Sequence, residues 1–396
     1  MKPIYLLQDN ARELLAEDFL GMKAWVDVIA GAAIGNDGPF TIGIYKEWGY
    51  GKTTLLQMAK QTVADSQQKP SEPVVTVWFN AWQFEREKHP LFPLIAAITD
   101  AIEKKVGSKS GGKPSKLKKI GLSLRALTRG MKLSGEVGVP LLGKVGVEFD
   151  ADKALTAEAL LGKQTNPLQA ELLYHSAFEL LGDAAKEKEG KAKIVVFVDD
   201  LDRCNPENAV RLLECIKLVL AQKGFVFVLA LDNLVIETYL DKVYEDKYGF
   251  KAGTGRGRKY LDKIVQLPLE IPPHEKRFPK YVEKLIEELA KKYREKGKPE
   301  NIKITALRNV QKVLAAHVGH NPRRLVRLID GFIIDTFLWE GTAELRTSFK
   351  DLDKGVANAI AIHRVVHNAL GEELTSALID DVELRKSIAD GSFSDR

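Results

Sequence analysis

The sequence predicts an α/β fold, in which a parallel β-sheet is flanked by helices and followed by a C-terminal α-helical lid domain. Three observations support this prediction. Apolar, β-branched segments alternate with segments of helical period over residues 1–271, as expected for strands that are buried on both faces of a sheet. The strand at Phe40–Tyr45 leads through a glycine-containing loop into a helix. From Pro272 onward the pattern is helical throughout.

The individual elements follow from hydrophobic periodicity and turn residues, taken in chain order. Helices are predicted at Leu14–Ala30, Lys52–Ala64, Leu91–Lys105, Pro167–Lys188, Pro206–Ala221 and Leu234–Val243. Strands are predicted at Phe40–Tyr45, Val74–Phe79, Ile194–Val198, Phe225–Leu231 and Ile264–Leu269, with a basic, glycine-rich loop at Gly249–Arg258 before the last strand.

Changes in composition indicate the domain boundaries. Residues 106–164 are first rich in Lys and Arg and then in Gly and Val, and they interrupt the alternation of strands and helices. We therefore predict a nucleotide domain over residues 1–271 that carries an insertion at about 106–164, and a helical lid domain over 272–396.

The loop after the first strand carries the strongest motif of the chain. Gly49 and Gly51 allow the backbone to approach a phosphate group without an intervening Cβ atom. Lys52 supplies a positive charge, and the Thr53 hydroxyl is the group that reaches Mg²⁺ in such loops. Lys46 stands where the usual pattern G-x-x-x-x-G-K-[ST] has its first glycine. The motif predicts a phosphate-binding loop.

A second motif follows the apolar strand Ile194–Val198 and supports the same interpretation. Asp199 and Asp200 come directly after this strand. A carboxylate at this position holds Mg²⁺ and orients the attacking water in proteins with a phosphate-binding loop. We assign Asp199 to the metal and Asp200 to the water; a salt-bridged turn is the alternative for Asp200. Together the two motifs predict the binding of a nucleoside triphosphate.

Composition limits the other possibilities. The 45% hydrophobic content is ordinary for a globular protein, and the formal net charge is +5. The two cysteines, Cys204 and Cys215, form no CxxC pattern, which argues against a thiolate metal site and fits a reducing cytoplasm. No apolar run reaches the length of about 18 residues that a transmembrane helix requires. We expect a cytoplasmic protein.

Six blocks of sequence, taken in order, form a family signature. They are Glu47-Trp48-Gly49-Tyr50-Gly51-Lys52-Thr53, Trp78-Phe79-Asn80-Ala81-Trp82-Gln83-Phe84-Glu85, Val198-Asp199-Asp200-Leu201-Asp202-Arg203, Phe227-Val228-Leu229-Ala230-Leu231-Asp232, Tyr260-Leu261-Asp262-Lys263-Ile264-Val265-Gln266-Leu267-Pro268 and Asn321-Pro322-Arg323-Arg324. Together they resemble the KAP group of P-loop NTPases, whose founding members are a neuronal membrane scaffold and a plasmid phage-exclusion protein.

The resemblance implies ATP as the ligand, Walker A and Walker B motifs at the two sites above, and Mg²⁺ as the cofactor. The residues expected to contact the nucleotide are Trp48, Gly49, Tyr50, Gly51, Lys52, Thr53 and Thr54. The absence of an Asn-Lys-x-Asp motif favours adenine over guanine. Membrane-spanning helices often interrupt this family's domain between the two motifs, but the insertion here contains no such span, so membrane integration is not expected.

Phosphoryl transfer also needs positive charge against the γ-phosphate. By resemblance to ring-forming ATPases, Arg258 (or else Arg256) would reach the nucleotide of a neighbouring subunit; a solvated basic loop is the alternative. Asn321 and Pro322 predict the start of a helix. The resemblance assigns this helix to the lid, where Arg323 would sense the γ-phosphate; a structural ion pair is the alternative. Trp78 and Trp82 (not counted among the site residues) are expected in the core.

The insertion contains a basic amphipathic stretch over residues 116–132. Apolar residues recur there with 3-4-3-4 spacing between Lys and Arg residues, which is typical of segments that bind a membrane surface or a partner protein. Packing against the body of the protein is an equal alternative. Nucleic acid is a less favoured ligand, because the segment has no aromatic side chain that would stack on bases.

These observations predict a Mg²⁺-dependent ATPase whose hydrolysis of the β–γ bond drives a conformational or oligomerisation switch, with a second copy or another protein as partner. The family resemblance adds an expected role in bacterial antiphage defence or membrane-linked signalling. Two alternatives stay open: a nucleotide-gated scaffold with little or no turnover, and a kinase that transfers phosphate to an acceptor.

Overall fold

A computed structural model describes residues 4–8, 18–66, 74–87, 90–106, 193–218, 223–249, 255–295, 302–341, 357 and 360–365. Most of the predicted insertion at 106–164, the basic stretch at 116–132 and the helix predicted at Pro167–Lys188 lie outside these ranges. Across the described ranges, no helix is long and apolar enough to cross a membrane.

The described elements alternate as the sequence predicts. The strands are β1 (Phe40–Tyr45), β2 (Val74–Asn80), β3 (Lys193–Asp199), β4 (Phe225–Leu231) and β5 (Leu267–Glu270). The helices are α1 (Lys23–Gly35), α2 (Lys52–Asp65), α3 (Leu91–Val106), α4 (Pro206–Leu218), α5 (Asn233–Tyr248), α6 (Arg256–Ile264), α7 (Phe278–Glu295), α8 (Ile302–His317) and α9 (Pro322–Gly341). Short 3₁₀ turns follow β2 (Ala81–Phe84) and β3 (Leu201–Arg203).

The five strands form one parallel sheet in the order β2-β3-β4-β1-β5. Every residue of β3 and β4 is buried, which explains why these strands appear in the sequence as continuous apolar runs rather than as alternating patterns. Because all strands are parallel, their carboxyl ends meet at one edge of the sheet. The register aligns Asn80 with Asp199 at that edge.

The two faces of the sheet bury separate apolar clusters. One cluster joins α1 and α2 to α7, α8 and α9, so the C-terminal helices share a core with the helix that follows the glycine-containing loop. The other cluster joins α3, α4, α5 and α6 to the opposite face. The predicted boundary between residues 1–271 and 272–396 stays a prediction, but the helices on its C-terminal side pack directly on the first face.

Some element boundaries were predicted wrongly. Of the helix predicted at Leu14–Ala30, residues 14–17 lie outside the described ranges, and the described part is helical only from Lys23, after Gly21 in a left-handed conformation with φ of 66°. The basic loop predicted at Gly249–Arg258 is in part helical, since α6 begins at Arg256, and the last strand begins three residues later than expected, at Leu267.

Candidate nucleotide-binding site

The glycine-containing loop connects the end of β1 to the start of α2. Gly49 and Gly51 have φ values of 93° and 90°, a conformation that favours glycine. A Cβ atom at Gly51 would lie 3.0 Å from the Met22 Cε atom. The loop thus has the backbone freedom that a close approach to phosphate requires, and α2 begins directly after it with Lys52.

Lys46, the departure from the usual pattern, fits this loop without strain. It is not among the described residues with positive φ. Its ammonium group lies 3.2 Å from a Glu270 carboxylate oxygen at the end of β5 and 5.4 Å from the centre of the Tyr50 ring. Because the backbone at this position does not need glycine, a side chain is accommodated on the sheet side of the loop.

The Lys52 side chain is nearly buried, and its ammonium group has three oxygen neighbours. It donates to the carbonyl oxygens of Lys46 at 2.6 Å and Glu47 at 3.2 Å. The third neighbour is Asp202 Oδ2, at 2.8 Å. Asp202 was not predicted as a site residue, because its partner Lys52 lies 150 positions earlier in the chain and no local pattern indicates the pair.

Thr53 and Asp199 come together across the cavity. The Thr53 hydroxyl hydrogen-bonds to the Asp199 carboxylate. Asp199 is 3% exposed, and burial, followed by the nearby Asp200 charge, raises its pKa to about 6. A hydroxyl beside a buried carboxylate is a donor set that suits Mg²⁺, and a bound cation would offset the cost of burying that charge.

Asp200 has both of its carboxylate oxygens engaged. Oδ2 accepts a hydrogen bond from Asn80 Nδ2 at 2.8 Å, and Oδ1 lies 2.7 Å from Arg203 Nε. The residue is in the left-handed conformation, with φ of 55°, which turns the chain sharply after β3. Asn80 was not predicted as a site residue, although it ends the strand next to β3 and therefore lies at the same sheet edge.

The N-terminus of α9 contacts the loop directly. Asn321 is buried, and its Nδ2 donates to the Trp48 carbonyl oxygen at 3.0 Å. Its Oδ1 caps the helix by accepting from Arg324 N at 3.1 Å, as expected for an N-cap residue. The Arg323 N–H lies 3.4 Å from the Gly49 carbonyl oxygen. One amide side chain therefore joins the helix cap to the phosphate-binding loop.

The loop's two aromatic side chains also face the C-terminal helices. Tyr50 donates its hydroxyl to the Gly319 carbonyl oxygen at 3.1 Å, and its own carbonyl oxygen lies 3.1 Å from His274 Nε2. Burial lowers the pKa of His274, which favours the neutral ring. These contacts extend the connection between loop and helices beyond α9.

Two guanidinium groups lie near the Trp48 ring. The Arg323 and Arg327 guanidinium carbons are 4.3 and 4.8 Å from its ring centres. The Trp48 side chain is nevertheless 43% exposed. Arg323 thus lines the cavity and packs on Trp48 of the loop, and its role as a γ-phosphate sensor or in a structural ion pair stays a prediction.

A cavity of about 270 Å³ unites most of the predicted residues. Its walls include Trp48, Gly49, Gly51, Lys52, Thr53, Thr54, Asp199, Asp200, Asp202 and Arg323. Two predicted residues do not line it. The Tyr50 ring contacts Gly319 and His274 instead, and Arg258 lies on the exposed side of α6.

The two tryptophans expected in the core both lie near the site. Trp78 lines the cavity, on the same side of β2 as Asn80. Trp82 is 51% exposed, and the Arg203 guanidinium carbon lies 5.3 Å from its ring centre. Trp78 also packs, partly buried, against the first apolar cluster, so the core expectation is wrong only for Trp82, which lies in the 3₁₀ turn beyond β2.

Comparison with known proteins also indicates a P-loop domain. The chain matches the family model of the KAP family P-loop domain over residues 22–335. It is 27% identical over 165 residues to the Uncharacterized protein MJ0182 of Methanocaldococcus jannaschii, a match that covers 37% of this chain and 84% of that protein.

Two solved structures are similar at low identity. One is the Aeropyrum pernix ORC2 protein in ADPNP-ADP complexes, with 12% identity and a TM-score of 0.40 over 90% of this chain and 70% of that chain. The other is the Aeropyrum pernix ORC1 protein in complex with DNA, with 14% identity and a TM-score of 0.40 over 92% and 73%. Because the family model spans most of the sequence, this chain belongs to the KAP family of P-loop domains.

Proposed function

We propose that this nucleotide-binding P-loop domain hydrolyses the β–γ bond of ATP in a Mg²⁺-dependent reaction. The observation that carries the proposal is the cavity in which Lys52, Thr53, Asp199 and Asp200 converge. A cation, a hydroxyl and two carboxylates at the carboxyl edge of a parallel sheet are the groups that phosphoryl transfer to water requires.

Phosphate binding falls to the loop and the first turn of α2. The positive φ values of Gly49 and Gly51 let backbone N–H groups approach the phosphates, and the Lys52 ammonium group adds charge. Thr54, which also lines the cavity, offers a second hydroxyl near the α-phosphate. These groups hold a triphosphate at the N-terminus of a helix, where partial positive charge favours anions.

Thr53 and Asp199 are the residues that would hold Mg²⁺. When bound, the metal neutralises charge on the phosphate oxygens. Asp199 is buried and its pKa is raised to about 6, so it is mostly ionised near neutral pH, and a bound cation would displace any remaining proton into solvent.

Asp200 is the group that would orient the attacking water. Its contacts with Asn80 and Arg203 occupy both oxygens, so at least one contact has to open before water can be held. The same observation favours a second candidate function, a nucleotide-gated scaffold in which Asp200 stays restrained and turnover is minimal. The kinase alternative has no such support, since no described feature suggests an acceptor site.

Two arginines complete the proposal. Arg323 lies at the cavity mouth, so a small movement away from Trp48 would bring its charge toward a γ-phosphate. Arg258 is exposed on α6 and outside the cavity of its own chain. A role for Arg258 therefore requires a neighbouring copy, and a homo-oligomer is part of the proposal.

The output of the reaction would be a movement of the C-terminal helices, because the loop carbonyls of Trp48 and Tyr50 contact Asn321 and His274. A partner protein or an inner-membrane surface that binds residues 116–132 stays a prediction from the sequence, with nucleic acid less favoured. The cytoplasmic location and the role in bacterial defence likewise stay predictions.

Phosphate release from ATP tests the proposal, with and without Mg²⁺ and over a range of protein concentrations. We expect turnover that requires Mg²⁺, is lost in Lys52→Ala, and falls about 100-fold or more in Asp200→Asn while ATP binding persists. Lys60→Ala, on the same helix but outside the cavity, is the matched control and keeps wild-type turnover. Turnover that rises with protein concentration and falls in Arg258→Ala would support completion of the site by a neighbour.

Two other outcomes would change the proposal. Tight ATP binding with background turnover would replace the ATPase proposal by the scaffold. Absence of ATP binding in the unaltered protein would overturn both.

A further inference from the structure

The three carboxylates at and just after the end of β3 have different contacts. Asp199 accepts from Thr53, and Asp200 is held by Asn80 and Arg203. Asp202 reaches across the cavity, and its Oδ2 lies 2.8 Å from Lys52 Nζ. The first two carboxylates have roles in the proposed reaction, whereas Asp202 has none so far.

The pair formed by Lys52 and Asp202 is nearly removed from solvent. Their side chains are 8% and 7% exposed. An ion pair at this depth is weakly screened by salt and interacts more strongly than a surface pair. Asp202 also lines the same cavity as Lys52, so its carboxylate lies on the side of the ammonium group from which a ligand approaches.

All three N–H donors of the Lys52 ammonium group already have acceptors. An ammonium group has three N–H donors, and the three acceptors are Asp202, the Lys46 carbonyl and the Glu47 carbonyl. Two of them are fixed parts of the loop backbone. A phosphate oxygen that approaches Lys52 must therefore displace or share the contact with Asp202, which is the only side chain of the three.

We infer that Asp202 is an internal counter-ion that competes with nucleotide phosphate for Lys52 and thereby weakens the binding of ATP and ADP. The inference rests on the proposed function of the site, and Asp202 acts in it as a positioning residue, through Lys52. In the nucleotide-free protein the carboxylate neutralises the buried lysine. When phosphates leave, the same carboxylate takes back the ammonium group, which favours product release.

The competition has a thermodynamic signature that a purely structural role lacks. Replacing Asp202 by Asn keeps an oxygen that can accept from Lys52 but removes the charge. The nucleotide-free protein should lose stability, because a buried ammonium group has lost its counter-ion. The phosphate-bound protein should lose little, because the ligand supplies the negative charge. Affinity for phosphates should therefore rise while stability without ligand falls.

Calorimetric titration of Asp202→Asn with ATP, ADP and adenosine, in EDTA so that no metal takes part, tests the inference. We expect ATP and ADP to bind about tenfold more tightly than to the unaltered protein, which corresponds to loss of one opposed charge contact. Adenosine, which carries no phosphate, should bind unchanged. Thermal unfolding of the same samples should give a lower midpoint without ligand and a larger rise on adding ADP.

Asp232→Asn is the matched control. Asp232 lies close enough for Lys52 to lower its pKa, against the larger effect of burial, but it contacts the α5 N-terminus rather than the ammonium group. Asn also serves as an N-cap, so this variant removes a nearby charge while keeping the local structure. Its affinity for ATP should change much less than that of Asp202→Asn.

The outcomes separate the two proposals. If the unaltered protein binds no nucleotide, the proposed function fails. If it binds ATP but Asp202→Asn binds ATP equally or more weakly, the site stands and the counter-ion inference is overturned. If ATP, ADP and adenosine all bind more tightly, a general opening of the cavity replaces competition at Lys52, which also overturns it.

Discussion

The two walls of the cavity are stabilised by different parts of the molecule. The phosphate-binding loop, residues 46–51, contacts the C-terminal helices through Asn321 and His274. The acidic turn, residues 199–203, contacts the sheet edge through Asn80 and the loop side through Lys52. One wall is therefore tied to the helices and the other to the sheet.

The difference indicates how one bound nucleotide could both react at the acidic turn and change the position of the C-terminal helices. Groups on the acidic turn are positioned by a rigid, fully buried strand, so they suit chemistry that needs fixed geometry. Groups on the loop share hydrogen bonds with helix caps, so a change in the loop is passed to α9. Three perturbations, taken from the largest expected effect to the smallest, test whether the two walls are as distinct as this comparison suggests.

The largest effect is expected for Gly49→Ala. A Cβ atom there would lie 2.5 Å from Asn321 Oδ1, and the backbone has φ of 93°. Strain and the clash together should lower the free energy of unfolding by about 2–4 kcal/mol and weaken ATP binding. Chemical denaturation and ATP titration measure both.

Gly249→Ala isolates the contribution of the contact. Gly249 also has positive φ, of 67°, but no atom lies within 4 Å of the position of its Cβ. This control should cost only about 1 kcal/mol. Equal losses in the two variants would mean that Asn321 has room to move and that loop and helix are not tightly joined.

An intermediate effect is expected from the titration of Asp199 on the acidic turn. Burial raises its pKa from 3.8 to about 6, so between these values the folded protein binds more protons than the unfolded chain. Its contribution to stability therefore falls as pH rises from about 4 to 6. Asp199→Asn should remove this slope and gain about 1–3 kcal/mol at pH 7 without metal.

Urea unfolding at a series of pH values, without metal, measures the slope. Adding Mg²⁺ and ATP should stabilise the unaltered protein and have much less effect on Asp199→Asn. A variant that keeps the full slope would show that another carboxylate, such as Asp200, is responsible.

The smallest effect is expected for Lys46→Gly, which restores the usual glycine. The variant loses an ion pair with Glu270, whose side chain is 75% exposed, and gains backbone entropy when unfolded. Unfolding free energy should fall by about 1 kcal/mol or less, and ATP affinity should stay within about twofold. A large gain in affinity would mean that the lysine restricts the loop after all.

The fold was largely predictable because its main signals are local. The strands β3 and β4 are buried on both faces and appear as short apolar runs, and Gly49 and Gly51 mark the phosphate-binding loop. The α6 helix was missed because its glycine was taken as a loop residue. Gly257 instead allows close packing, since a Cβ atom there would lie 2.2 Å from the Glu237 carbonyl oxygen.

The site was predictable only where its residues belong to one motif. Lys52, Thr53 and Asp199 follow from strand ends and the helix start. Asp200 meets Asn80 because the sheet register aligns the ends of β2 and β3, whereas Asp202 meets Lys52 because the turn after β3 lies beside the start of α2. Such pairings depend on three-dimensional packing, and no spacing along the chain encodes them.

The parallel order of the sheet has a consequence for the long segment between α3 and β3. Because all strands are parallel, β3 begins with Lys193 at the sheet edge opposite the carboxyl ends, and the segment joins the described sheet at that residue. The entropy of closing a loop grows only slowly with its length. A change of chain length just before Lys193 is therefore made at the sheet edge away from Lys52, Thr53 and Asp199, the groups proposed to bind the nucleotide and its metal.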